Sequence, residues 1–144
     1  MPSVEIPGAV VVETAVLVLS KLKDGTIAAG NAYNFSTATT DMTISPGAFT
    51  TTSTETDGKI IVLLGGTYQI FISMNALTSS DKFTLRQNGN TFPSSDIAGS
   101  ASGNNVLRCI LTLAANTALT VTNENAGNVT VTNGAAYIEL IKIN

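Results

Sequence analysis

The sequence contains no histidine, no tryptophan and a single cysteine. Without histidine there is no Ser-His-Asp or Cys-His catalysis and no imidazole-bound metal. One cysteine forms no intrachain disulfide, and a four-cysteine zinc site is excluded. Charge is scarce as well. The 7 Lys and Arg against 10 Asp and Glu make up 12% of the chain, with a formal net charge of −3, where ordinary domains carry roughly 25% charged residues. Phosphate binding needs a surplus of cations, so nucleic acid is not an expected partner. Long apolar runs are missing too. Near the N-terminus the longest uncharged one is residues 15–19, far short of the roughly 20 residues of a membrane span, so no membrane insertion is expected. The first charged residues are Glu5 and Glu13, with no basic n-region, so no secretory signal is expected either.

In place of these the chain has 21 Thr, 13 Asn and 12 Ser among 144 residues. Its length suits one domain, since compact domains peak near ~100–150 residues. Its hydrophobic fraction of 44% is ample for a core. Residues 1–8, with Pro2 and Pro7, read as an extended arm, and residues 9–144 as the domain.

The periodicity is that of strands. Short segments at 59–64, 67–75, 82–87, 106–113, 118–123, 129–132 and 135–143 are bounded by Gly, Asn, Asp and Ser, with weaker candidates at 32–36 and 42–44. Asn88-Gly89 is a strong hairpin-turn dipeptide. The best helical candidate, residues 9–23, is rich in valine, which loses rotamer freedom in a helix. Nine or ten short strands without intervening helices predict an all-β sandwich or barrel.

Alternation separates two kinds of strand. In 106–113, Leu107, Cys109, Leu111 and Leu113 share a core face, while Val106, Arg108, Ile110 and Thr112 face out. Segment 118–123 points Leu119 and Val121 in, and Thr120 and Thr122 out. Segment 82–87 points Phe83 and Leu85 in, with Lys82, Thr84 and Arg86 out. Other strands are apolar on both faces. Residues 60–64 are an unbroken apolar run. Tyr68, Ile70, Ile72 and Met74 share one face, with Phe71 on the opposite one. Ile138 and Leu140 oppose Tyr137, Ile141 and Ile143. A second apolar face is covered either by another chain or by a segment of the same chain such as 10–19, and the first is expected here.

From residue 33 onward the order of features resembles the compact jelly roll of the tumour necrosis factor and complement globular-head superfamily. Tyr33-Asn34-Phe35 is similar to its early aromatic strand. Gly65-Gly66-Thr67-Tyr68-Gln69-Ile70 resembles its Gly-x-Tyr-x-hydrophobic strand, and Phe83–Gly89 its L-x-x-N-G hairpin. Residues 111–119 resemble its L-x-L-x-x-G-D element, with Asn116-Thr117 in place of Gly-Asp. In texture the chain is similar to heads of bacterial collagen-like spore-surface proteins and to phage structural proteins. The resemblance covers residues 33–144 and implies a two-sheet jelly-roll sandwich assembling as a homotrimer. It places Tyr68, Phe71, Tyr137 and Ile141 at or near the threefold contact.

Glu139 shares the face of Tyr137 and Ile141. Three such carboxylates converging on an axis would repel and need Lys142, Arg86 or Arg108 nearby, unless Glu139 lies at the solvated rim. Cys109 reads as a small buried hydrophobe. Residues 96–105 read as a surface loop, with Asp96, Ser100, Ser102 and Asn104 as contacts for a glycan or host receptor. No catalytic residue, cofactor or metal site is expected, since no Asp-x-Asp pattern or paired carboxylates occur. The functional expectation is a trimeric, non-enzymatic virion component: a capsid decoration protein, spike or fibre head. It would be made in the host cytoplasm and tethered to capsid or tail protein through its arm. The alternative is a carbohydrate- or receptor-binding module on a bacterial or spore surface.

Overall fold

The computed structural model describes residues 15–20, 25–33, 40–45, 47–52, 58–75, 82–92, 95–97, 104–131 and 137–144. Among these there is no helix. In chain order the strands are β1 (Val16–Ser20), β2 (Gly25–Ile27), β3 (Thr40–Ile44), β4 (Phe49–Thr52), β5 (Lys59–Val62) and β6 (Gly66–Asn75). They continue with β7 (Phe83–Gln87), β8 (Asp96–Ile97), β9 (Asn104–Leu113), β10 (Thr117–Asn123), β11 (Val129–Val131) and β12 (Tyr137–Lys142). Two five-stranded antiparallel sheets form, ordered β3-β1-β12-β6-β9 and β4-β5-β10-β7-β8, and β11 pairs with β2. From β5 to β10 the chain crosses repeatedly between the two sheets, which makes the sandwich a jelly roll.

The facing surfaces of the two sheets make the core. Leu17, Ile70, Ile72, Met74, Ile138 and Leu140 come from the first sheet, and Phe49, Ile60, Val62, Phe83, Leu85, Leu119 and Val121 from the second. Each alternates with outward residues, as the period of two in a pleated strand requires. The Gly65-Gly66 crossing is needed for close backbone approach. A Cβ on Gly66 would lie 2.5 Å from Lys142 Cε and 2.7 Å from the Asn144 carbonyl oxygen. Beside it Thr67 N donates to Asn144 O at 2.7 Å, and Ile143 N to Thr67 O at 2.8 Å. The chain's C-terminal end is thereby tied to the start of β6.

Within 9–23, where valine disfavours a helix, the described residues include strand β1, paired between β12 and β3. Other expectations change. The loop expected at 96–105 instead begins in β8 and ends in β9. Thr84, Thr120 and Thr122 face outward but are buried. Neighbours on the same face cover them. Arg86 stands opposite Thr120, Ala32 bridges to Thr122, and Thr84 Oγ1 donates to Asp96 Oδ1 at 3.4 Å. Of the weak candidate 32–36, Ala32 and Tyr33 run beside β10, where Tyr33 N donates to Val121 O at 2.8 Å. Residues 34–36 and the arm 1–8 lie outside the described residues.

Candidate functional site

The outer face of the first sheet presents side chains in transverse rows set by strand register. One row holds Arg108 on β9, Phe71 on β6, Glu139 on β12 and Val18 on β1. The next holds Ile110, Gln69, Ile141 and Val16, and on the other side stand Val106, Ser73 and Tyr137. These positions alternate with the buried Ile70, Ile72, Ile138 and Leu140, so they have no partner inside the sandwich. Ile110 is 63% exposed and Val106 39%. Phe71, Tyr137, Glu139 and Ile141 are half-buried.

The centre of the face is an aromatic pair. Phe71 and Tyr137 have ring centroids 5.6 Å apart at 58°, within the range of favourable tilted contacts. Arg108 caps the pair, with its guanidinium carbon 4.8 Å from the Phe71 centroid. The Tyr137 hydroxyl donates to Glu139 Oε2. That bond, helped by burial and by the carboxylate charge, pushes the Tyr137 phenol up to about 12. The phenol is therefore a fixed donor at neutral pH and unsuited to general acid–base work. A shallow depression of about 520 Å³ opens among Gln69, Phe71, Ser73, Arg108, Tyr137 and Glu139.

Of the residues expected at a threefold contact, Phe71, Tyr137, Glu139 and Ile141 are brought onto this one face. Tyr68 is not, and that expectation is corrected. It is fully buried in the protomer core, edge-on to Phe49 at 5.7 Å and 67°, and its hydroxyl donates to the Leu64 carbonyl. Its position two residues from Ile70 and three from Phe71 puts it on the inward face of β6. Arg108 is the cation on the Glu139 face. Arg86 stands on the second sheet, where its Nε donates to Glu124 Oε1 at 3.0 Å, and Lys142 has the inward parity of Ile138 and Leu140. Ile110 and Val106 on the edge strand β9 were read only as solvent-facing, and strand order alone shows that they flank Phe71.

Elsewhere, Asp96 is exposed on β8 and pairs with Lys82 Nζ at 3.3 Å, a surface contact of small energetic weight. Asn104 begins β9 opposite Asn75, and Ser100 and Ser102 lie outside the described residues. Cys109 is half-buried opposite Ile70, and burial pushes its thiol pKa up. Among the described residues no three of His, Cys, Asp and Glu come together to hold a metal.

Solved structures share this arrangement. Rabbit GITRL superposes with a TM-score of 0.60 at 13% identity, over 90% of this chain and 94% of its own. Eiger TNF from S. frugiperda gives 0.57 at 16% identity, over 91% and 92%. The fold is the tumour necrosis factor-like jelly roll. The same jelly roll occurs in PRD1 vertex protein P5, with a TM-score of 0.53 at 18% identity, over 91% and 96%. At these identities the likeness is one of fold. No family model and no curated protein sequence matches the chain.

Proposed function

We propose that this chain is a non-enzymatic structural protein that associates as a homotrimer through the outer face of its first sheet and serves as a virion component. The observation that carries the reading is the composition of that face. Phe71, Tyr137, Ile141, Ile110 and Val106 form a contiguous apolar surface around one cation, Arg108, and one anion, Glu139. Aromatic and aliphatic side chains with few charges are what the centre of a protein interface contains. Placing both signs on one face makes it complementary to a second copy of itself. Closing such faces around an axis leaves the loops on the outside, available to a host surface.

The virion role is supported by the likeness to a phage vertex protein and by the texture of the sequence. A charge-poor chain rich in Thr and Asn suits a durable exposed scaffold. The arm at 1–8 would make the attachment to capsid or tail protein. Sedimentation equilibrium at micromolar concentration tests the assembly, and a mass of three chains is expected. A monomer mass would overturn it. Gradient-purified particles from the source host should carry the chain in stoichiometric amount, and its absence from them would refute the virion role.

A further inference from the structure

The outer face of the first sheet carries two charges, and neither is neutralised within the protomer. Arg108 on β9 and Glu139 on β12 both stand opposite Phe71 of β6. The ring lies between them, and the guanidinium rests on it, 4.8 Å from the centroid, rather than on the carboxylate. Glu139 Oε2 accepts from the Tyr137 hydroxyl, which leaves Oε1 without a described donor. Among the described residues the ion pairs are Lys82 with Asp96 and Arg86 with Glu124, so Arg108 and Glu139 have no ion-pair partner there.

Closing this face in an assembly removes both charges from water. A charge buried alone is costly, and the cost is offset only by a well-placed opposite charge with further hydrogen bonds. Arg108 brings a planar fork of N–H donors that matches a carboxylate. Glu139 is already half-buried and is oriented by Tyr137. Threefold symmetry constrains how the two can meet, because one patch of each chain contacts a different patch of the next. The sheet order puts β9 at the edge and β12 in the middle, so the edge of one protomer can lie across the centre of another. Unlike charges then meet at every contact. If each residue instead met its own copies at the axis, three carboxylates or three guanidinium groups would converge and repel.

We propose that Arg108 of each protomer pairs with Glu139 of the partner subunit, closing a ring of three ion pairs that fixes which surfaces meet. The inference rests on the trimer proposed above and adds the register of its contact. Val106 and Ile110, 39% and 63% exposed on either side of Arg108, would shield each pair from water.

Sedimentation equilibrium and carbodiimide cross-linking test the pairing, with the unsubstituted chain run in parallel. A monomeric unsubstituted chain would refute the trimer and the pairing together. Given a trimer, Arg108→Gln and Glu139→Gln should each raise the concentration of half-dissociation at least ~10-fold. Glu139→Gln keeps an acceptor for Tyr137, so its effect reads the charge. The double variant should lose less than the two single losses combined, since no charge is then buried alone. Arg108→Lys keeps the charge and supplies an amine that carbodiimide couples to a carboxylate. Its trimer should give covalent dimers and trimers on a denaturing gel, with the peptides carrying positions 108 and 139 joined. Arg108→Lys combined with Glu139→Gln should give no such link. A trimer that neither single variant weakens, additive losses in the double variant, or a 108–139 link found only within single chains would overturn the pairing and leave the trimer standing.

Discussion

Arg108 stands directly opposite Phe71 across the β6–β9 ladder, its guanidinium carbon 4.8 Å from the centre of the ring. An exposed cation–π contact of this kind contributes about 0.5–1 kcal/mol. Its larger consequence is orientation. With Tyr137 on the other side, Phe71 is held as an apolar platform between a cation and a phenol, so its rotamer is fixed before any partner arrives. Little ordering entropy then remains to oppose association through this face.

Phe71→Asp should dissociate the proposed trimer. The ring occupies the middle of the proposed contact, where truncation of an anchor costs about 2 kcal/mol or more, and a carboxylate there is also desolvated. Light scattering should show the mass fall to that of one chain while the circular dichroism stays that of a β protein. Unchanged assembly would place the contact on another face.

Tyr68→Phe makes the complementary test, because it alters the core and leaves the outer face intact. Losing the hydroxyl bond to Leu64 should cost about 1 kcal/mol of stability, read from the denaturant midpoint, with the assembly state preserved. Tyr68→Ala should cost about 3–5 kcal/mol through the cavity it leaves.

Tyr137 should titrate late. Its pKa is raised from 10.0 to about 12 by the hydrogen bond to Glu139, by burial and by the carboxylate charge. A group whose proton is held more tightly in the native state stabilises that state fully below its unfolded pKa. This contribution is therefore complete below pH 10 and lost as pH rises from 10 through about 12. Phenolate absorbance should show Tyr137 ionising late, together with Tyr68, whose phenol burial also pushes up. Glu139→Gln should bring the Tyr137 phenol back toward the ordinary range, and a titration unmoved by the substitution would deny the contact.

Cys109 should react slowly. Burial favours its neutral thiol, and the thiolate is the reactive form. Iodoacetamide at mildly alkaline pH should label it at least ~10-fold more slowly than free cysteine, with the full rate restored in denaturant.

The strands with strict alternation were the legible part of this fold. In β9 and β10 the apolar core residues Leu107, Leu113, Leu119 and Val121 follow from period two, whereas the burial of Thr120 and Thr122 on the other face of β10 does not. In β1 the valine content already disfavours a helix, and pairing with β12 and β3 gives the strand its place. Strand β8 is two residues long, too short to carry a period. The same limit applies to the sites. Phe71 stood out because its parity differs from that of Ile70 and Ile72. The cover over Thr120 and Thr122 depends on Ala32 and Arg86, which are far from them in sequence. Tyr68 shows where a resemblance needs checking against parity, since it lies on the inward face shared with Ile70.

Asn123 is the residue whose importance the sequence hid most completely. Inside Thr-Asn-Glu-Asn-Ala-Gly it reads as one more turn residue, yet it is fully buried. Its Nδ2 donates to the carbonyls of Ile27 at 2.9 Å and Gly127 at 3.1 Å. Its Oδ1 accepts from Asn125 N at 2.9 Å and Asn125 Nδ2 at 2.8 Å. All four hydrogen-bonding positions of the amide are thus filled, and they join the end of β10 to β2 and to the turn before β11. Asn123→Ala would take a donor from the buried Ile27 carbonyl and from the more exposed Gly127 carbonyl, and an acceptor from Asn125 N and Nδ2. At about 1–3 kcal/mol for each unsatisfied group, partly relieved by water, a loss of about 2–4 kcal/mol is expected. Asn123→Asp removes only the two donated bonds but places a charge among carbonyl oxygens, so it should be at least as damaging at neutral pH and recover as pH falls below the carboxylate range. Thermal unfolding across pH reads both variants. An Asn123→Asp protein equally stable at pH 3 and pH 7 would contradict this arrangement.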